Sequence, residues 1–455
     1  MPPPYVTVTV PQSPDQIEAA LVDLALTFPS LCTRIAFPNR SVEDRPIHFI
    51  RIADGSAGGP SGRPSDGPPG ESPDGRPVVV LTGGVHARES APPDALVHFA
   101  QNLLVSRSTG TDITFPAMVC TPLPTMPPNG GPPVPVSPVE YPRFTIPAAK
   151  VRRFLERVDL YIAPLINPDG RQFDQDNHPV GTGGAGWRKN RRPDPDPARI
   201  GVDINRNHDI AWKFEDYYDM AVYRKRYSFG PASTDPANET YRGPAAASEP
   251  ETANVQWLID EVRAAYFVDV HQFGRNVLLS WGIEDNGDDP AMNFSSPAWK
   301  GRRDGLRPGS PLVPPDRPNY QEFVTNTAPH FVRDRLPVLA NAMRDAILRS
   351  AGVDPAAPVP VTPEARRVHS TYDVGQSAAL YDKVNGGPVT GTTDDYAFRR
   401  QFDDPGRAPV FAFTIETGHL EEAGFHPDYG RPPGHYAKIE REVHAALAEL
   451  CEMAA

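Results

Sequence analysis

Apolar residues recur along this chain with two periods, and each period predicts a different element. Behind Ser13-Pro14, Ile17, Ala20, Leu21, Leu24 and Ala25 keep helical spacing, and Ser followed by Pro is an N-cap and first-turn pair, so an ordered first helix is expected there. Residues 45–53 (RPIHFIRIA) and 76–83 (RPVVVLTG) read as strands, the second apolar enough to be covered on both faces. Residues 95–104 then carry apolar positions at 96, 99, 100, 103 and 104 and predict a helix. A strand over 158–166 follows, ended by a turn at Asn167-Pro168-Asp169-Gly170. Ser248-Glu249-Pro250-Glu251 has the form of a capping box before Val255, Leu258, Ile259 and Val262, and a strand over 266–270 runs into His271. A helix over 331–348, a buried strand over 410–415 and a closing helix over 436–450 complete the pattern.

Buried strands alternating with amphipathic helices predict an α/β fold, one sheet covered on both faces, and no internal repeat suggests another architecture. Composition changes this picture in one respect. Fifty-six of 455 residues are proline, and they cluster, so residues 55–75 and 106–147 are expected to be loop insertions, the second without regular structure. A net charge of −12 gives no global attraction to nucleic acid or an anionic membrane. No stretch reaches the roughly 18 apolar residues of a membrane span, and the first residues lack the pattern of a signal peptide, so a cytoplasmic location is expected. Cys32, Cys120 and Cys451 are too few and too far apart to suggest a disulfide framework or a cysteine metal site.

In sheets of this kind reactive side chains gather beyond the carboxyl ends of strands. His86 and Glu89 stand just after the strand ending near Gly83, His271 directly after Val270, and Glu416 directly after Ile415. Two imidazoles and one carboxylate form a ligand set suited to catalytic zinc with an open position for water, and a further glutamate could serve as base. His-x-x-Glu alone is more often a loop histidine beside a surface glutamate, so the argument rests on joint occurrence.

At this point the sequence resembles the zinc carboxypeptidases of the carboxypeptidase A/B family. The resemblance runs in order through Gly84-Val85-His86-Ala87-Arg88-Glu89, Asn167-Pro168-Asp169-Gly170, Trp187-Arg188-Lys189-Asn190-Arg191, Gly201-Val202-Asp203-Ile204-Asn205-Arg206-Asn207, Asp269-Val270-His271 and Phe413-Thr414-Ile415-Glu416. It implies a single catalytic domain over residues 1–455, with a mixed, twisted sheet of about eight strands and helices on both faces. By the same resemblance His86, Glu89 and His271 would bind one Zn2+ per chain. Glu416 would be the general base, Arg188 would polarise the scissile carbonyl, and Asn205 with Arg206 would clamp the terminal carboxylate of a peptide or protein substrate. Residues 390–396 (TGTTDDY) resemble the segment lining the pocket for the terminal side chain, with Asp394 at the selectivity position, which implies basic or mixed C-terminal preference. Asp394 or Asp395 also suits a helix cap.

One departure concerns the tyrosine that closes over substrate in the family, expected seven residues before the selectivity position. Gly387 stands there, and Tyr381 is the nearest substitute. Two further readings share the scaffold, a peptidoglycan or γ-glutamyl amidase and a non-catalytic binding protein. The Asn205-Arg206 pair speaks against the first, and the complete set of His86, Glu89, His271 and Glu416 against the second. His48, His98, His208, His330 and the C-terminal histidines are expected to be structural or surface residues.

Overall fold

Residues 11–54, 75–121, 138–177, 186–227, 229–283, 335–358, 371–378, 380, 387–403, 408–418 and 434–455 are described by the structure, a computed structural model. Helix α1 (Pro14–Thr27) starts as its spacing predicts. Ser13 Oγ accepts from Gln16 N, and Gln16 Oε1 accepts from Ser13 N, so the cap is a full capping box. Strands β1 (Cys32–Ala36) and β2 (His48–Ile52) form an antiparallel pair, β3 (Val78–Gly83) follows, and α2 (Ala91–Thr109) extends beyond its predicted end.

Residues 106–147 correct one expectation. Their first four residues finish α2, and the described remainder holds β4 (Ile113–Phe115) paired with β7 (Phe144–Ile146), and β5 (Met118–Cys120) paired with β6 (Val139–Tyr141). Three-residue strands are too short for a period to register, and their partners lie well apart in sequence. Helix α3 (Ala148–Leu155), strand β8 (Asp159–Ala163) and helix α4 (Pro168–Asn177) come next. The expected turn at 167–170 is thus the start of a helix. Asn167 Oδ1 accepts from Gly170 N (2.9 Å) as a cap does, and a proline at the first helical position suits either reading.

Helix α5 (Met220–Arg226) precedes α6 (Pro250–Glu261), whose expected capping box does not form. Glu251 instead accepts from Asn190 Nδ2 (3.0 Å) and Val42 N (3.0 Å), and Ser248 Oγ donates to Glu249 (2.7 Å). The remaining elements are β9 (Tyr266–Gln272), β10 (Asn276–Leu279), α7 (Leu336–Ser350), β11 (Asp373–Gln376), α8 (Thr393–Asp403), β12 (Phe411–Thr417) and α9 (His435–Ala454). Strands β1, β10 and β11 have no counterpart in the sequence reading.

Eight strands make one mixed sheet in the order β1-β2-β8-β3-β9-β12-β10-β11. Its centre, β8-β3-β9-β12, is parallel, which the buried apolar runs anticipate. The core buries β3 and β9 on both faces, and because β3, β9 and β12 run parallel they deliver their carboxyl ends to one edge. Register fixes the neighbourhood there: Gly83 lies beside Val270, and His271 beside Glu416. No helix among the described residues is long and apolar enough to cross a membrane.

Candidate active site

The chain leaves β3 through Gly84, at φ +64°. A Cβ there would lie 2.7 Å from Leu165 Cδ1 and 2.9 Å from Pro93 Cγ, so only glycine fits this bend. Asn167 then stitches two loops together, donating from Nδ2 to Val85 O and Lys189 O (both 3.1 Å), and Ala87 N donates to Arg188 O (3.1 Å). The His86 loop and the Arg188 loop are thereby held as one unit.

Within this frame His86, Glu89 and His271 converge, with one potential ligand atom from each lying within 4.8 Å of the others, all three buried. Both imidazoles turn Nδ1 inward. His86 Nδ1 lies 2.6 Å from Glu89 Oε1, His271 Nδ1 lies 2.9 Å from Glu89 Oε2, and the two Nδ1 atoms are 3.2 Å apart. Both turn Nε2 outward onto a carboxylate, His86 to Asp203 Oδ1 (3.1 Å) and His271 to Asp269 Oδ2 (2.9 Å). Asp269 is held in turn by Thr82 Oγ1 (2.8 Å), and Asp203 by Asn205 N (3.0 Å) and Arg188 Nε (2.9 Å). Metal-binding histidines commonly have their outer nitrogen fixed in this way, which sets the tautomer and raises ligand basicity. The donor set, two nitrogens and a carboxylate without thiolate, fits zinc with a position left open.

Electrostatics concentrate here. Burial opposes ionisation of Glu89, but His86 and His271 outweigh it and hold the carboxyl well below its usual range. Against the same penalty, Arg188 and His86 hold Asp203 down, and His271 holds Asp269 down. His271 is raised well above its ordinary value by Asp269 and Glu89 in spite of burial. Burial pushes Glu416 up to about 8, with Glu89 adding to the shift and His271 and Arg188 opposing it.

Arg188 is anchored by one edge of its guanidinium at Asp203, and burial is outweighed there by Asp203 and Glu89, which raise its pKa. Asn205 and Arg206 lie in a short 3-10 turn capped by Asp203, so the proposed clamp and the outer partner of His86 share one segment. Asn205 Oδ1 accepts from both the amide (2.9 Å) and the hydroxyl (3.1 Å) of Thr393, the first residue of α8. Asp394 follows, buried in the first turn of α8, its carboxyl raised by burial. Asp395 is committed to the fold, accepting from Gly282 N at 2.9 and 3.0 Å. Tyr381 lies outside the described residues.

The sequence reading gives no part in the site to Asp203, Asp269 or His208, and places Thr393 only within the pocket segment 390–396. Asp269 had a signal, since residues two apart on a strand share a face and Asp269 stands two before His271. Asp203 stands 117 residues from His86, and no local pattern reports such a pairing.

Comparison with known proteins bears on the family and the fold. A family profile described as "Zinc carboxypeptidase" matches residues 17–115 and 146–439. A carboxypeptidase B of Helicoverpa zea is 26% identical over 259 residues, 56% of this chain and 42% of that protein. A metallocarboxypeptidase A of Trichophyton rubrum is 30% identical over 147 residues, 31% of this chain and 30% of that protein. The chain therefore spans less than half the length of these curated relatives. Among solved structures, a carboxypeptidase A from Helicoverpa armigera superposes with a TM-score of 0.54 at 20% identity, covering 97% of this chain and 74% of that one. A bovine thrombin-activatable fibrinolysis inhibitor, in complex with a tick carboxypeptidase inhibitor, gives 0.57 at 14% identity and 98% of each chain. At such identities the likeness is one of fold. With the family profile spanning most of its length, and the strand-end cluster where the ordered motifs predict it, the chain belongs to the zinc carboxypeptidase family.

Proposed function

We propose that this chain is a zinc-dependent metallocarboxypeptidase that hydrolyses the C-terminal peptide bond of peptides or proteins. The observation that carries the reading is the convergence of His86 Nδ1, His271 Nδ1 and the Glu89 carboxylate, each imidazole backed by its own carboxylate. A zinc ion held by these residues supplies a Lewis acid for the scissile carbonyl and acidifies a water toward neutrality. Glu416, beside His271 in register, takes the proton of the attacking water and delivers it to the departing amine. Arg188, fixed by Asp203 at Nε, places positive charge for the developing oxyanion. Asn205 and Arg206 bind the terminal carboxylate, which confines cleavage to the last residue.

Asp394 gives the terminal-residue pocket a buried carboxyl and favours Lys or Arg there, because a charge left unpaired in a buried site is costly. The test is release of the last residue from blocked dipeptides ending in Arg, Lys, Phe, Leu and Glu, with and without a chelator. Chelator-sensitive release is expected, fastest for Arg and Lys, and Asp394→Ala should reduce that advantage about tenfold or more while sparing Phe. Equal losses on Phe would remove Asp394 from the pocket. No release from any substrate, in protein shown to hold zinc, would favour the amidase or binding-protein reading.

A further inference from the structure

The site contains a hydrogen-bond chain that none of the assigned roles uses. Gln256 Nε2 on α6 lies 3.5 Å from His208 Nδ1, His208 Nε2 lies 3.0 Å from Thr393 Oγ1, and Thr393 Oγ1 lies 3.1 Å from Asn205 Oδ1. His208 and Thr393 are buried, so the two contacts Thr393 makes are out of water, while Gln256 is half-buried.

Proton parity gives the chain one direction. The Gln256 amide nitrogen can only donate, so His208 Nδ1 accepts. A neutral imidazole that accepts at Nδ1 carries its proton on Nε2 and donates to Thr393 Oγ1. The threonine hydroxyl, having accepted, spends its own proton on Asn205 Oδ1. Burial holds His208 down at about 4, which keeps the imidazole neutral at ordinary pH. Thr393 N, which is 2.9 Å from the same oxygen, adds a second donor. Two donors on Oδ1 settle which end of the Asn205 amide faces α8 and turn Nδ2 away from it.

The backbone reinforces this joint. His208 N donates to Gly391 O (3.1 Å) and Gly391 N to Ile210 O (3.0 Å). Gly391 has φ +73°, and a Cβ there would fall 2.2 Å from Arg206 O, so the two segments touch along their main chains. The clamp segment and the start of the helix carrying Asp394 are therefore locked together.

We propose that Thr393 and His208 are positioning residues that fix the amide of Asn205 with its donor, not its acceptor, available to substrate, so that the chain selects a terminal carboxylate over a terminal carboxamide. This inference rests on the reading of Asn205 and Arg206 as the carboxylate clamp. An Asn amide turned over would offer its oxygen to the ligand, repelling a carboxylate and welcoming an amide.

The experiment measures binding of N-acetylarginine and N-acetylphenylalanine, each beside its amide, to the zinc-loaded full chain by calorimetry, with KM and kcat on a blocked dipeptide. Thr393→Val and His208→Phe should lower the carboxylate-to-carboxamide affinity ratio about tenfold, the size expected for one charge-assisted hydrogen bond, and raise KM with kcat nearly unchanged. Thr393→Ser and His208→Gln keep a hydroxyl and a donor at the positions that matter, and should restore the ratio. Variants that weaken both ligand classes equally, or a serine variant no better than valine, would overturn the positioning role. A parent protein that fails to prefer carboxylate would overturn the clamp reading itself, and this proposal with it.

Discussion

Two groups of buried histidines sit in different parts of this molecule, and only one of them is arranged for a metal. At the carboxyl ends of β3 and β9, His86 and His271 turn Nδ1 toward a shared glutamate and each rests Nε2 on a separate aspartate. Between α2 and α9, His98 Nδ1 meets Glu440 Oε1 (2.8 Å), and His444 Nε2 meets Ala95 O (2.9 Å). There the His444 ring packs against Phe99 and Phe115, at centroid distances of 5.2 and 5.4 Å. The difference lies in where the second nitrogen goes and in how much negative charge surrounds the rings. Glu89, Asp203, Asp269 and Glu416 crowd the first pair, and burying that many carboxylates is costly unless positive charge is bound among them. Glu440 is paired with His98, and the nearby Asp94 with Arg171, a balance that needs no ion. Burial and a nearby carboxylate are thus common to both groups, whereas convergence of inner nitrogens belongs to one.

The comparison breaks most visibly at the ligands. His271→Ala should leave the purified chain without stoichiometric zinc and without measurable turnover, while His98→Ala should keep zinc and lose stability, on the order of 3 kcal/mol, because Glu440 is left buried and unpaired. Metal analysis after dialysis and denaturant unfolding read the two effects separately, and zinc loss in the His98 variant would erase the distinction.

Glu416→Gln comes next in size. It should keep zinc and lose about 10²- to 10⁴-fold in kcat, and substantial remaining turnover would take the base role from Glu416. Asp269→Asn sharpens the point about outer partners. Losing the carboxylate behind His271 should lower zinc affinity about 10- to 100-fold in a chelator competition, and unchanged affinity would make that hydrogen bond merely structural.

The smallest effect concerns His444. Burial holds it down at about 3, so the folded chain keeps it neutral while an unfolded chain takes up a proton below about pH 6.5. The unfolded state then binds more protons, and stability falls as pH drops from about 6.5 toward 3. His444→Gln should cancel about 2 kcal/mol of the loss between pH 7 and pH 4.5, read by urea unfolding at both values. An identical pH dependence in the variant would place the acid sensitivity elsewhere.

Much of this arrangement was legible along the chain, and its limits follow the range of the interactions. His86 and Glu89 are three residues apart on one turn, and His271 and Glu416 follow apolar runs that read as buried strands, so position marked them as candidates and the family resemblance assigned their roles. The box at Ser248 failed because Glu251 is recruited by Asn190 and Val42 from other parts of the chain. The two small sheets within 106–147 escaped because three-residue strands carry no period and gain their stability by packing. Tyr141 lies under Lys438 and Phe144 under Arg441 of α9.

What the sequence determined by itself is the alternation of strand and helix, the placement of candidate ligands at strand ends, and the family those motifs resemble. Periodicity and short-range spacing are local, and they survive in one dimension. What only the tertiary structure decided is which nitrogen of each histidine faces inward, that Asp203 and Asp269 stand behind them, and that Thr393 and His208 hold Asn205. Those are pairings between segments many residues apart, and direction in a hydrogen bond exists only once donor and acceptor have been brought together in space.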